Sequence, residues 1–164
     1  MVLVGLPGSG KTTAGRALAA ALGRDFVDTD EVFARREHVS VQDYLRENSE
    51  ASFRERELAA LAEALSGAGV VATGGGVVTT VDARRLLGDE LTVWLDCSDD
   101  ELAARVIGGD RPLLDADPLT RLRELRAARG AFYAEVARHR VDSSAQVAAL
   151  VARLRDLVDA AAAP

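Results

Sequence analysis

The strongest constraint on the fold is a glycine-rich segment near the start of the chain. Residues 5–12 read GLPGSGKT, which matches the pattern G-x-x-x-x-G-K-[ST]. An apolar run at 1–4 precedes the segment, and a helical pattern of alanine and leucine at 12–22 follows it. The segment therefore predicts a tight turn between a buried strand and a helix, where backbone N–H groups can surround a phosphate.

This turn carries the groups that a nucleoside triphosphate and its metal ion require. In such turns the lysine reaches the β- and γ-phosphates, and the next hydroxyl ligates Mg²⁺. Lys11 is the only lysine of the chain, against 19 arginines, which fits a position that needs a compact ammonium. We expect Lys11 to act in catalysis and Thr12 to hold Mg²⁺. The expected ATP contacts from this segment are Gly8, Ser9, Gly10, Lys11, Thr12 and Thr13.

Beyond the turn, short apolar runs alternate with helical stretches. Strands are predicted at 1–4, 26–28, 70–73, 91–96 and 140–142. Helices are predicted at 12–22, 31–65, 81–87, 99–107, 119–138 and 145–162, with Ser98 as the N-cap of the fourth. Such alternation is typical of an α/β protein in which helices cover both faces of a parallel sheet, here with about five strands. The pattern does not give the strand order.

Length and composition fit one domain spanning 1–164. The net charge of −6 argues against a general nucleic-acid binder, because phosphate backbones require a basic surface. No apolar run approaches the roughly 20 residues of a membrane span, and Cys97 is the only cysteine. We expect a cytoplasmic protein, monomeric, with no nucleic-acid or membrane partner.

A second group of polar residues follows the predicted strand at 26–28. Asp28, Thr29 and Asp30 lie where ligands bind in open α/β sheets, at the carboxyl ends of the strands. Asp28 can support the Mg²⁺ shell, through water, while Asp30 can orient a substrate hydroxyl and either take its proton or only orient it. An N-cap role in the next helix is the alternative for Asp30.

Two further segments are candidates for contacts with the acceptor of the phosphoryl group. Arg54 can pair with a carboxylate, and Glu57 lies on the same helical face and can hold it, although a solvated helix surface is the alternative. Three glycines at 74–76 follow a predicted strand and permit close approach of the backbone to a ligand. The helical region at about 31–65 is thus expected to bind the acceptor.

The turn-rich segment at about 108–118, GGDRPLLDADP, predicts a mobile lid. A lid that excludes water suits phosphoryl transfer to an acceptor, because hydrolysis of ATP competes with transfer. The chain is also short for a GTPase or motor domain, which needs switch and coupling elements. These features favour a small-molecule kinase.

Taken together, the segments resemble the shikimate kinase family over nearly the whole chain. The resemblance rests on the order and spacing of GLPGSGKT, DTD, F-R-x-x-E, GGG, R-P-L-L and R-x-x-x-Y. It implies a P-loop fold of the nucleoside-kinase type. It also implies Mg-ATP-dependent phosphorylation of the 3-hydroxyl of shikimate, in aromatic amino acid biosynthesis.

The resemblance also assigns roles to individual residues. Arg111 would be a catalytic lid arginine that contacts the phosphates of ATP, Arg105 would lie beside the adenine, and Asp28 would support Mg²⁺. The residues that would bind shikimate are Asp30, Arg54, Gly74, Gly75, Gly76 and Arg129.

Two other functions remain open from the sequence. One is gluconate kinase, or another small-acid kinase of the same fold, although the DTD, GGG and F-R-x-x-E segments favour shikimate. The other is a nucleotide-binding module without turnover, which would not need two arginines and an aspartate around a second pocket.

Overall fold

The alternating pattern of the sequence produces a five-stranded sheet in which every strand runs parallel to its neighbours. The computed structural model describes residues 1–67, 69–107 and 117–163. The strands are β1 (Val2–Val4), β2 (Phe26–Asp28), β3 (Val70–Ala72), β4 (Thr92–Asp96) and β5 (His139–Asp142). All five begin and end within one residue of their predicted limits, and β2 matches them at both ends.

The strands lie side by side in the order β2-β3-β1-β4-β5. The central strand β1 pairs with β3 through Val2 and Val71, and with β4 through Val4 and Trp94. After β1 the chain crosses toward β2 on one side, whereas after β4 it crosses toward β5 on the other. The carboxyl ends of β1 and β4 therefore flank a topological switch point, where α/β sheets bind their ligands.

Helices connect the strands, and side-chain caps mark the starts of α2, α3, α4, α6 and α7. They are α1 (Lys11–Leu22), α2 (Thr29–Glu37), α3 (Val41–Glu47), α4 (Glu50–Leu65), α5 (Val81–Gly88), α6 (Asp99–Val106), α7 (Pro118–Val136) and α8 (Val147–Ala162). Ser98 caps α6 in a reciprocal arrangement with Glu101, as predicted. The predicted helical region at 31–65 is divided into three helices because Ser40 and Ser49 cap new starts.

The helices form a layer on each face of the sheet, as the predicted three-layer fold requires. Alternate residues of a strand point to opposite faces. Leu3 of β1 packs in a core with α1 and α8. Val2 and Val4 pack in a larger core with the helices from α2 to α7, both included. Within the described part of the chain, no helix has both the length and the apolar character needed to cross a bilayer.

The carboxyl end of β4 is tied to α7 by a network of charges. Asp96, whose side chain is 7% exposed, accepts hydrogen bonds from Arg126 at 2.7 Å and from Arg140 at 2.5 Å. Arg126 also donates to Asp99 and to the carbonyl oxygen of Cys97, at 2.6 Å each. The guanidinium of Arg126 therefore has three partners at the sheet edge.

We expect Asp96→Ala to lower the free energy of unfolding by about 1–3 kcal/mol, since it removes the shared acceptor of two guanidinium groups. Urea denaturation measures the change. Asp159→Ala is the matched control, because Asp159 is exposed and lies 3.9 Å from its partner Arg155. The control should change stability by less than about 0.5 kcal/mol. Equal effects of the two substitutions would contradict a structural role for the network.

Candidate active site

A cleft of about 810 Å³ runs along the carboxyl edge of the sheet. It joins the turn after β1 to the loops after β2 and β3, and to one side of α7. Of the predicted site residues, the cleft is lined by Gly8, Gly10, Lys11, Thr12, Thr13, Asp28, Asp30, Gly74, Gly75, Arg105 and Arg129. The fold thus brings residues from both the predicted ATP site and the predicted acceptor site to one continuous space.

The turn between β1 and α1 has a backbone that only glycine adopts without strain. Gly5, Gly8 and Gly10 have φ values of 147°, 83° and 87°. A Cβ on Gly5 would lie 2.3 Å from the carbonyl oxygen of Leu95, and one on Gly8 would lie 2.9 Å from Val106 Cγ1. At Gly5 and Gly8 the turn therefore packs directly against β4 and α6, whereas a Cβ on Gly10 would meet nothing within 4 Å and only the positive φ favours glycine there.

Lys11 begins α1 and is buried, with 8% of its surface exposed. Its Nζ donates to the carbonyl oxygens of Gly5 and Leu6, at 2.9 Å each, and to Ser9 Oγ at 3.3 Å. Backbone oxygens of the turn thus hold the ammonium inside it. A larger, planar guanidinium has a different shape and hydrogen-bond geometry, which agrees with lysine occurring only here.

Thr12 and Asp28 form the position predicted to hold a metal ion. Thr12 Oγ1 donates to Asp28 Oδ2 at 2.9 Å. Asp28 also caps α2, since its Oδ1 accepts from the N–H of Asp30 at 3.0 Å; capping therefore belongs to Asp28, not to Asp30 as the alternative interpretation had it. A hydroxyl beside a carboxylate suits Mg²⁺, which takes oxygen ligands and shares them with substrate phosphates and water.

Arg54 and Glu57 form a buried ion pair on α4. Arg54 Nη1 lies 2.6 Å from Glu57 Oε2, and the Arg54 side chain is only 16% exposed, so it does not belong to a solvated helix surface. Burial raises the pKa of Glu57, the Arg54 guanidinium opposes the rise, and the charges of Asp30 and Arg129 also act on it. The pair therefore lies close enough to Asp30 and Arg129, the two other charged residues of the predicted acceptor site, for their charges to act on Glu57.

The three glycines after β3 each face a different part of the site. A Cβ on Gly74 would lie 2.8 Å from Asp30 Oδ1, and one on Gly76 would lie 2.6 Å from Arg54 Nη1. A Cβ on Gly75 would lie 3.2 Å from Pro7 Cδ in the turn after β1. The absence of side chains lets this loop lie close to all three neighbours. The close approach to a ligand that the sequence predicted stays a prediction.

Two hydroxyl groups that sequence reasoning missed hold this loop. Thr29 Oγ1 accepts from the N–H of Gly74 at 3.0 Å, and the Tyr133 hydroxyl donates to the carbonyl oxygen of Gly75 at 2.5 Å. Arg129 Nη1 donates to the same oxygen at 3.2 Å. Thr29 and Tyr133 belong to the DTD and R-x-x-x-Y segments, so their motifs were visible, but nothing local in the sequence indicates their distant partners.

Arg105 lies on the opposite side of the turn. Its Nη2 donates to the carbonyl oxygen of Ser143 at 3.0 Å, and Nη1 lies 3.5 Å from that of Gly8. The predicted lid falls mostly outside the described residues, and Arg111 with it. Of the lid, Asp117 and Pro118 are described, and they form the capped start of α7.

Comparison with known proteins gives a consistent family. The family model for shikimate kinase matches residues 7–159. Shikimate kinase of Corynebacterium jeikeium (strain K411) is 47% identical over 137 residues, covering 82% of this chain and 74% of that protein. Shikimate kinase of Symbiobacterium thermophilum is 45% identical over 147 residues, covering 86% of this chain and 84% of the relative.

Solved structures agree with the sequence relatives. Shikimate kinase from Acinetobacter baumannii in complex with shikimate superposes with a TM-score of 0.91 at 32% identity, covering 99% of this chain and 94% of the other. A gluconokinase from Sinorhizobium meliloti shares the fold at a TM-score of 0.59 and 22% identity, over 99% of this chain and 97% of the other. The chain belongs to the shikimate kinase family, and it is an ATP-dependent small-molecule kinase.

Proposed function

We propose that this chain transfers the γ-phosphoryl group of ATP to the 3-hydroxyl of shikimate, giving shikimate 3-phosphate and ADP. The observation that carries the proposal is the single cleft that joins the lysine-bearing turn to Asp30, the glycine loop and Arg129. Residues of one chain line both ends of this cleft, so a nucleotide and a small acid would bind there side by side, and we propose that the protein acts as a monomer.

The acceptor end of the cleft complements a small acid that carries several hydroxyl groups. Arg54 and Arg129 approach the glycine loop from α4 and α7, and we assign to them the carboxylate of shikimate. Asp30 adjoins Gly74 on the same loop, and we assign to it the acceptor hydroxyl. We assign Gly74, Gly75 and Gly76 to the wall between these charges, and Gly74 and Gly75 line the cleft.

Residues from both the nucleotide end and the acceptor end of the cleft contribute to the transfer. Asp30 orients the acceptor hydroxyl and accepts its proton as the new phosphate ester forms. Lys11 exchanges its contacts with the turn for the β- and γ-phosphates of ATP and offsets their charge. Thr12 and Asp28 would hold Mg²⁺, Asp28 through water. When bound, Mg²⁺ neutralises charge on the phosphate oxygens.

Two arginines complete the proposed nucleotide contacts. Arg105 lies between Gly8 and Ser143, a position that supports a contact with the adenine. Arg111 is proposed as the lid arginine on the resemblance alone, because it lies outside the described residues. In related phosphoryl transfers an arginine of this kind contributes about 10³-fold or more to the rate.

The test of the proposal is ADP release from Mg·ATP by the purified protein with shikimate, with gluconate and with no acceptor. Release that depends on shikimate is the expected result. Release with gluconate alone would identify the other small-acid kinase. Release without acceptor, or none at all, would overturn the proposed transfer.

We expect Lys11→Ala to lower kcat by about 10²–10³-fold or more, because charge on the transferring phosphoryl group loses its ammonium partner. Steady-state kinetics measure the loss, and circular dichroism verifies that the fold is retained. Arg155→Ala is the control, since it also removes one cation, but from an exposed position on α8. Retained activity in the lysine variant would refute the assignment of Lys11.

Arg54→Ala should raise the KM for shikimate roughly 10- to 100-fold and leave the KM for ATP nearly unchanged. The expected size follows from a charge-assisted hydrogen bond, which contributes about 1.5–3 kcal/mol. Arg56→Ala, on the exposed side of α4, is the matched control and should alter neither value. If both KM values rose together in the Arg54 variant, its role would be structural.

Gly76→Ala tests the same contact from the opposite side. The backbone of Gly76, with φ of −91° and ψ of −11°, accepts alanine, whereas the new Cβ would displace the Arg54 guanidinium. We expect the KM for shikimate to rise about tenfold or more. Gly88→Ala, where a Cβ meets nothing within 4 Å, should leave it unchanged. An unaltered KM in the Gly76 variant would show that Arg54 does not need its present position.

A further inference from the structure

Tyr133 is a fully buried polar side chain that the proposed reaction does not use. It lies on α7, four residues after Arg129, and none of its surface is exposed. Its ring stacks on Trp94 with the centroids 5.6 Å apart. Its hydroxyl donates to the carbonyl oxygen of Gly75 at 2.5 Å, which links α7 to a loop 58 residues earlier in the chain.

The glycine loop depends on such bonds for a fixed shape. Glycine has the greatest backbone freedom of all residues, and three in succession have no side chains to pack. The N–H of Gly74 is held by Thr29 Oγ1, beside Asp30. The carbonyl oxygen of Gly75 is held from the other side by Tyr133, close to Arg129. The two hydroxyls thus fix the loop next to the two residues that flank it.

Tyr133 also shares its acceptor with Arg129, whose Nη1 lies 3.2 Å from the same oxygen. A carbonyl oxygen has two lone pairs, and these two donors use both. Because the peptide unit is planar and trans, a carbonyl held toward α7 directs the N–H of Gly76 away from α7. The hydroxyl therefore influences both the position of the Arg129 guanidinium and the orientation of a backbone donor of the loop.

We propose that Tyr133 is a positioning residue for the acceptor site. Its hydroxyl orients the Gly75–Gly76 peptide and uses one lone pair of the Gly75 carbonyl oxygen, which leaves the other lone pair to Arg129. The guanidinium therefore stays available to the carboxylate of the acceptor. The inference rests on the proposed function. It concerns shikimate binding, because the hydroxyl bonds to Gly75 of the glycine loop and shares that acceptor with Arg129.

The hydroxyl keeps its proton over the range in which the enzyme would work. Burial raises the pKa of Tyr133 to about 12, and the nearby positive charge of Arg129 opposes the rise. The phenol is therefore a hydrogen-bond donor at neutral pH, as the contact with a carbonyl oxygen requires.

Tyr133→Phe tests the inference, because it removes only the oxygen and keeps the ring on Trp94. The wild-type protein is first measured for shikimate-dependent ADP release, so that failure of the proposed function is seen separately. In the variant we expect the KM for shikimate to rise about tenfold, about 1.4 kcal/mol, with the KM for ATP within about twofold. Calorimetric titration with shikimate should give the same loss in affinity without turnover.

Thr92→Val is the matched control. Thr92 Oγ1 is buried and donates to the carbonyl oxygen of Leu87 at 2.7 Å, at the amino end of β4 and far from the cleft. It should leave both KM values unchanged even though it also removes a buried hydroxyl-to-carbonyl bond. A similar shift in both variants would mean that loss of stability, not positioning, raises the KM.

A double-mutant cycle with Arg129→Ala separates positioning from independent effects. We expect the tenfold effect of Tyr133→Phe to shrink to about threefold or less once Arg129 is absent, because the two side chains act through one oxygen. Full additivity of the two substitutions, or an unchanged KM for shikimate in Tyr133→Phe alone, would overturn the proposal.

Discussion

The site depends on the parallel alignment of all five strands. In a parallel sheet every strand ends at the same edge, so the turn after β1, the Asp28–Asp30 segment after β2 and the glycine loop after β3 converge there. The register of strand pairing places the segments after β2 and β3 at the same level of this edge, because Asp28, the last residue of β2, pairs with Ala72, the last residue of β3. Side chains separated by tens of residues therefore meet without any long excursion of the chain.

Sequence reasoning succeeded where the determining interactions are local. The turn at 5–12, the cap at Ser98 and the pairing of Arg54 with Glu57 each depend on residues a few positions apart, and the structure has all three. Strand order could not be predicted, because the hydrophobic pattern of a buried strand does not indicate which other strands pair with it. The same limit applies to Tyr133 and Arg126, whose partners lie 58 and about 30 residues away.

Charge is distributed unevenly between the cleft and the rest of the chain. The chain carries a formal charge of −6, yet the cleft is lined by Lys11, Arg105 and Arg129 among its cations. The described lining holds five cations against two carboxylates, Asp28 and Asp30, and an excess of one sign between low-dielectric walls attracts ligands of the opposite charge. The two proposed substrates are both anions, so the local field favours their entry, whereas the acidic remainder of the surface disfavours long polyanions such as nucleic acid.

The solitary lysine has a chemical consequence beyond phosphate binding. Because every other basic side chain except histidine is arginine, the chain offers a single side-chain amine, and that amine lies within the turn after β1. Acylation, carbamylation and imine formation at side-chain amines therefore all converge on Lys11. For this protein, the rate at which amine reagents modify Lys11 directly indicates whether a ligand occupies the turn.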